Sequence, residues 1–392
     1  MPHGPPPGGP VSRGTAVRGR PGGSTGGCGR ARIDLRKGSA GVSIIRRTRS
    51  PPSVGVTYAC HPKVVFSRRA GHDVTLAAMS NDLPKLPRRD PAGHKGTFGT
   101  VCVLGAQAAG PKVMIGGPAF TATAALRSGV GLAVLAVPRP VMPSALIIAP
   151  GATGLALPVD QGRNLLPSEV AELLDQHLPG YDCLAVGPGW GTDTPQQQIL
   201  IRLVARDDLP MVIDADGLNA LAALRDFHRD FRAPAVLTPH PGEFRRLADN
   251  LGIDADPIDP DARPAAAEQM ARRLGCVVVL KGHRTVISDG IESAINESGN
   301  VALATAGTGD VLTGIIASFI AQFFKPNLGG GSHQVTAKQQ GGLSLSDCAR
   351  CAVHLHGVAA DLWAQRHGPA GLLATDLLDL IPEALSHLPR ED

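Results

Sequence analysis

From Met79 onward, short runs of β-branched and aliphatic residues alternate with longer segments of helical period, and this alternation limits the fold more than any other feature. Residues 100–105, 132–137, 184–186, 211–213, 235–237 and 276–280 form apolar runs that read as strands. Residues 119–128, 195–205, 264–274, 310–322, 347–366 and 372–385 carry their apolar residues at helical spacing. A strand that is apolar along its length needs cover on both faces, so the order predicts an α/β chain: a three-layer α/β/α sandwich around a mostly parallel central sheet. Residues 285–287 and 293–295 predict a hairpin before the long helix at 310–322. Residues 325–346, glycine-rich and without period, predict a mobile surface insertion within one domain spanning 79–392.

Residues 1–78 are of another kind. Their first 30 residues include 16 Gly or Pro, and the segment carries an excess of 11 positive charges. It predicts a basic, low-complexity stretch that is disordered, or an over-extended gene start with Met79 as the initiator. The whole chain is formally +4, but the part from Met79 onward is net −7, which disfavours nucleic acid and anionic membrane as partners. Aromatic residues at 3% leave few rings for base stacking. With 43% hydrophobic and 18% charged residues, the chain has the material for a sizeable core. It has no run of about 18 apolar residues, so no membrane span is expected. Seven scattered cysteines suit a reducing cytoplasm better than a disulfide framework. Cys348 and Cys351 lack the second pair that a structural zinc requires and read as ordinary helix cysteines.

In an open parallel sheet, ligands gather beyond the carboxyl ends of the strands. Five polar segments stand out there: Gly187-Pro-Gly-Trp-Gly191, Asp214-Ala-Asp216 with Asn219, Thr238-Pro-His-Pro-Gly-Glu243, Lys281-Gly-His-Arg-Thr285 and Gly307-Thr-Gly-Asp310. No GxxxxGK[ST] motif occurs, and Thr192 stands where GxGxxG needs its third glycine. The segment ending in Asp310 is the most specific. Glycines before a long apolar helix let unpaired N–H groups and the positive helix end face an anion. An acid in that turn makes sense as a general base for an acceptor hydroxyl; a plain helix-end carboxylate would need no glycines. His240, fixed between Pro239 and Pro241, suits a substrate contact. Lys281 could meet a phosphate, and Asp214 with Asp216 could hold Mg²⁺ through water, although Asp216 reads equally as a helix N-cap.

Further segments join these in order and spacing: His94-Lys-Gly-Thr-Phe-Gly99, Ala124-Ala-Leu-Arg-Ser-Gly-Val-Gly131, Asn296-Glu-Ser-Gly-Asn300, His356-Gly and Leu372-Leu-Ala-Thr-Asp376. From His94 to the end, the set resembles the ADP-dependent (S)-NAD(P)H-hydrate dehydratases, a branch of the ribokinase-like superfamily. The resemblance implies repair of hydrated NADH or NADPH by phosphorylating the 6-hydroxyl and expelling phosphate. It implies that Ala125, Gly189, His240 and Asp310 face the hydrated nucleotide, with Asp310 taking the hydroxyl proton. Lys281, Gly282, His283, Arg284 and Thr285, with Gly307, Thr308 and Gly309, would hold ADP or ATP, the phosphoryl donor. Mg²⁺ is implied without assigned ligands, as are a cytoplasmic homotetramer and an NAD(P)H-hydrate epimerase carried by a separate protein, since 78 low-complexity residues cannot form one. The chain departs from the pattern at Gly217, where alanine is expected, in the 325–346 insertion, and at Trp190, whose place beside the substrate glycines bears on pocket shape. Two rival readings are a ribokinase-like kinase of a small molecule or vitamin precursor, and a non-catalytic nucleotide sensor. The TPHPGE and HKGTFG segments disfavour the kinase, and the intact Asp310 turn disfavours the sensor.

Overall fold

The computed structural model describes residues 76–78, 83–324 and 342–391. In chain order its elements are β1 (Leu76–Ala78), β2 (Thr100–Leu104), α1 (Gly116–Arg127), β3 (Leu132–Pro138), α2 (Met142–Ile148), β4 (Thr153–Leu157), α3 (Pro167–His177) and β5 (Cys183–Val186). They continue as α4 (Thr194–Val204), β6 (Met211–Ile213), α5 (Asp216–Ala223), β7 (Ala235–Leu237), α6 (Pro241–Leu251), α7 (Arg263–Leu274) and β8 (Val277–Leu280). The last are β9 (Val286–Ser288), β10 (Ser293–Ile295), α8 (Thr308–Phe323), α9 (Leu345–His367) and α10 (Ala374–Leu385), with short 3₁₀ turns between. The strands form one sheet in the order β1-β10-β9-β8-β7-β6-β5-β2-β3-β4. Only β9 runs antiparallel to its neighbours, which makes the predicted hairpin with β10.

Two-residue periodicity sends alternate strand residues to opposite faces, and both faces are filled. Val101 and Val103 of β2 join α1, α2, α8, α9 and α10 in one apolar layer. Cys102 and Leu104 join α3 to α7 in the other. The three-layer sandwich is therefore as the alternation predicts, and the described cysteines, Cys348 and Cys351 included, are free and buried. Among the described residues no helix is long and apolar enough to cross a membrane.

Several elements were not anticipated. β4 is an edge strand whose first residues are exposed, so it lacks a continuous apolar run. α6 begins with a capping box in which His240 replaces the usual Ser or Thr and Glu243 answers it, and it ends at Gly252 in the left-handed region. Of the expected 325–346 insertion, residues 325–341 lie outside the described ones, and at its end Ser344 caps α9 and Leu345 is buried. Residues 1–75 and 79–82 also lie outside them, while β1, just before Met79, pairs in parallel with β10.

The chain order reverses between β2 and β5. β2 leads outward to β3 and β4, β5 leads the other way to β6, β7 and β8, and the crevice at such a switch point is where ligands bind. α8 crosses beneath this crevice. It is apolar nearly all round because it packs on the sheet, α1 and α9 at once. The approach of α8 to α1 is set by Gly314, where a Cβ would stand 2.2 Å from the Thr121 carbonyl oxygen and 2.7 Å from the Ala124 Cβ. Gly314→Ala is expected to force the helices apart and cost about 1–3 kcal/mol, read from the midpoint of urea unfolding; an unchanged midpoint would contradict this packing.

Candidate active site

Four loops that follow β5, β6, β7 and β8 meet the first turn of α8. At the centre is Asp214, 1% exposed. Its Oδ1 accepts from Lys281 Nζ at 2.6 Å and Thr238 Oγ1 at 2.7 Å, and its Oδ2 accepts from Thr313 Oγ1 at 2.8 Å. Burial alone would raise the Asp214 pKa, but Lys281 and these hydrogen bonds outweigh it and hold the carboxyl below its ordinary range. For Lys281 burial works against the charge, yet Asp214 and Glu243 prevail and its pKa stands above the usual lysine value. The next residue, Ala215, takes φ 50° and ψ −118°, a sparsely populated conformation. After this bend Asp216 Oδ2 accepts from the Gly191 N–H at 2.8 Å.

Both Asp214 oxygens already accept from protein donors, which leaves Asp214 less to offer the water shell of an ion shared with Asp216. One expectation is corrected: Asp216 is not an N-cap, since it lies in the first turn of α5 and its carboxylate tethers the loop after β5. Among the described residues no group of three or more His, Cys, Asp or Glu is placed to hold a metal.

Gly307, at φ 90°, turns the chain into α8 with no side chain capping the helix. The first ladder bond runs from the Val311 N–H to the Gly307 carbonyl. Among the described residues nothing accepts from the N–H groups of Thr308, Gly309 or Asp310, so three donors at the positive helix end are left for a ligand. Lys281 overhangs them: a Cβ on Gly309 would lie 3.6 Å from its Nζ. Asp310 shares the turn. Its carboxylate abuts α1 where a Cβ on Gly117 would come within 3.1 Å of Oδ1, and its main-chain oxygen accepts from Thr121 Oγ1 at 3.0 Å. Burial, then the Asp214 charge, raise its pKa to about 7, with Lys281 opposing and Asp216 and Glu243 adding.

His240 is both cap and donor. Its Nδ1 accepts from the N–H groups of Gly242 and Glu243 at 2.9 and 3.3 Å, which requires the neutral ring with its proton on Nε2. Burial, Lys281 and Arg246 lower its pKa and favour the same form. The side chain is 53% exposed, and its Nε2 stands 3.5 Å from Glu243 Oε1, at the limit of a hydrogen bond, so the Nε2–H faces both that carboxylate and the crevice. Glu243 lies beneath, 3.9 Å from Lys281, and burial lifts its pKa to about 7.

Not every expected residue comes to this place. Ala125 is fully buried, and its carbonyl accepts from the Ser128 and Val130 N–H groups at the end of α1. It lies eight residues past Gly117, about 12 Å along the helix, so Gly117 and not Ala125 represents α1 at the site. Trp190 is fully buried in the layer of α3 to α7, its ring packed away from the crevice face of the loop. Gly189, at φ 59°, is buried in the loop after β5 and packed on Met114, where a Cβ would be 3.0 Å from Met114 Cβ. The HKGTFG segment precedes β2 and packs beneath Gly131, where a Cβ would overlap the Lys95 carbonyl. It lies at the amino end of β2, away from the carboxyl ends of the strands where the site is built.

The 281–285 loop is held from behind by a residue that sequence reasoning passed over. Arg263 of α7 is 7% exposed and donates to the carbonyls of Leu280, Lys281 and His283. Gly282, at φ 146°, leaves room for that guanidinium. Thr285 Oγ1 closes the loop on the Gly282 carbonyl at 2.9 Å, while Arg284 is engaged with Glu297 at 2.7 Å. His283 is exposed.

Asp214→Asn, which strips the buried Lys281 of its main counter-charge, is expected to lower stability by about 3–5 kcal/mol in chemical denaturation. Asp214→Leu combined with Lys281→Met should retain more stability than either single change; additive losses would refute the coupling.

A family model described as NAD(P)H-hydrate dehydratase matches residues 102–383. The bifunctional NAD(P)H-hydrate repair enzyme Nnr of Moorella thermoacetica is 38% identical over 331 residues, covering 84% of this chain and 57% of its own length. The ADP-dependent (S)-NAD(P)H-hydrate dehydratase of Bacillus subtilis is 34% identical over 300 residues, covering 76% of this chain and 92% of its own. The chain thus spans little more than half the length of the bifunctional relatives. Among solved structures, the ADP/ATP-dependent NAD(P)H-hydrate dehydratase from Bacillus subtilis, co-crystallized with ATP/Mg²⁺, matches with a TM-score of 0.58 at 30% identity over 77% of this chain and 94% of that one. A ribokinase-like superfamily protein from Enterococcus faecalis matches with a TM-score of 0.60 at 25% identity over 78% of this chain and 93% of that one. The sandwich is of the ribokinase-like kind, and the chain belongs to the NAD(P)H-hydrate dehydratase family.

Proposed function

We propose that this chain restores NADH or NADPH from the S epimer of the hydrated form, with ADP as phosphoryl donor. The observation that carries the proposal is the Asp310 turn: three unpaired N–H groups, an overhanging ammonium and a carboxylate of raised proton affinity within one helical turn. Asp310 takes the proton of the 6-hydroxyl as that oxygen attacks the β-phosphorus, and AMP leaves. The N–H groups of Thr308 and Gly309, with Lys281, stabilise the charge on the transferring group. The ring nitrogen's lone pair then expels phosphate, and loss of the C5 proton to water or a base completes the dihydronicotinamide. His240 Nε2–H and Gly189 contact the hydrated nucleotide, and the loop built on Gly282 to Thr285 takes the adenine nucleotide.

Mg²⁺, when bound, would add positive charge at the phosphates. The donor set suits an ion that keeps most of its water and arrives on the nucleotide, because Asp216 has one oxygen without a protein donor while both Asp214 oxygens already accept from the protein. We place the reaction in the cytoplasm, in a homotetramer. Among the described residues the site is built from Gly117 onward.

Purified protein with hydrated NADH, Mg²⁺ and ADP should recover dihydronicotinamide absorbance and release AMP and phosphate. A kinase of the same fold would instead accumulate a stable phosphorylated product. Asp310→Asn should lower turnover by roughly 10² to 10⁴ while ADP affinity, measured by calorimetry, holds or rises. The same change should raise the melting temperature at pH 8. Folded Asp310 binds its proton more tightly than an unfolded aspartate of pKa about 3.9, so its ionised form costs stability that increases from pH 4 to pH 7. A near-normal rate, or lost ADP binding in folded protein, would overturn the assignment.

A further inference from the structure

The Thr308 carbonyl and the Gly309 N–H are the two ends of one peptide group, and the carbonyl end has a partner outside its own helix. His356 of α9 is 8% exposed, and its Nε2 stands 2.9 Å from the Thr308 oxygen. A carbonyl only accepts, so the imidazole carries its proton on Nε2 and donates it. Burial holds the ring neutral, with a pKa pushed down to about 4.

α9 is well placed to aim this donor, because the loop leading to the turn is docked along it. Asp361 accepts from the Gly299 N–H at 2.9 Å and Asn300 Nδ2 at 2.8 Å. Ser298 Oγ donates to the His354 carbonyl at 3.0 Å. Gly357 lets the loop lie directly on the helix, since a Cβ there would be 2.2 Å from Ser298 Oγ.

We propose that His356 is a positioning residue for phosphoryl transfer: its hydrogen bond to the Thr308 carbonyl orients and polarises the Thr308–Gly309 peptide, making the Gly309 N–H a stronger donor to the transferring group. Hydrogen bonds in series polarise one another, so charge drawn toward the oxygen leaves the amide hydrogen more positive. The bond operates where loss of one donor to developing charge has a large effect on rate. The inference rests on the phosphoryl-binding reading of the turn.

His356→Gln places an amide N–H near the position of Nε2, whereas His356→Asn falls short of the carbonyl; both put a neutral amide in the same pocket. The Asn variant should lose roughly tenfold in kcat with little change in KM for ADP, and the Gln variant should stay within about threefold of the parent. Paired ¹³C′-Thr and ¹⁵N-Gly labelling isolates the Thr–Gly amides in the ligand-free protein. The Gly309 nitrogen should move upfield in the Asn variant and much less in the Gln variant. No movement in the Asn variant overturns the polarisation while leaving the phosphoryl site standing. A shift with unchanged kcat overturns the phosphoryl-binding reading of Gly309 itself. Should neither variant fold, the ring ¹⁵N shifts of His356 in the parent protein decide: an Nε2–H tautomer supports the bond, and an Nδ1–H tautomer overturns it.

Discussion

A carboxylate persists in an apolar interior only when its charge is matched and its lone pairs are filled. Asp214 meets both conditions by drawing on three other elements: Lys281 after β8, Thr238 after β7 and Thr313 on α8. The arrangement ties the carboxyl ends of three adjacent strands to the helix that bears the catalytic turn. It also fixes the Lys281 ammonium over Gly309, where a cation with long rotamer freedom would otherwise have no single place.

The same charge has an opposite effect one turn away. Asp310 has no ion-pair partner among the described residues, because Lys281 is engaged with Asp214 at 2.6 Å and with Glu243 at 3.9 Å. Left in a half-closed place with Asp214 nearby, Asp310 holds its proton to about pH 7. Two aspartates within one site thus take different parts: one stays ionised and anchors the cation, the other is poised to accept a proton near neutrality. The glycines serve this division. Gly117 admits the Asp310 carboxylate against α1, and Gly307 turns the chain so that the helix N-terminus stays free for an anion.

Much of this was legible before any coordinates. Period-two and period-3.6 patterns are local, so the central strands and the long helices stand within a few residues of their expected bounds, and the Asp310 turn is announced by glycines that only a tight approach requires. What was not legible depends on partners distant in sequence. Nothing around Arg263 says that it will point at the carbonyls of residues 280, 281 and 283, and nothing beside Asp214 and Asp216 says that Lys281 and Gly191 will reach them from the ends of other strands. Ala125 lies on the correct helix, but eight residues from the face that meets Asp310, a distinction that helical pattern alone does not make.

The account turns on the proton affinity of Asp310, and that quantity can be observed directly. Titration of the ¹³Cγ resonances of labelled aspartate in the ligand-free protein, with Asp310→Asn identifying the signal, should show the Asp310 carboxyl changing state near pH 7 while Asp214 stays ionised down to the acid limit of the fold. An Asp310 midpoint near the ordinary aspartate value of about 4 would contradict the account, because the carboxyl would then be a solvated helix-end charge and not a buried base.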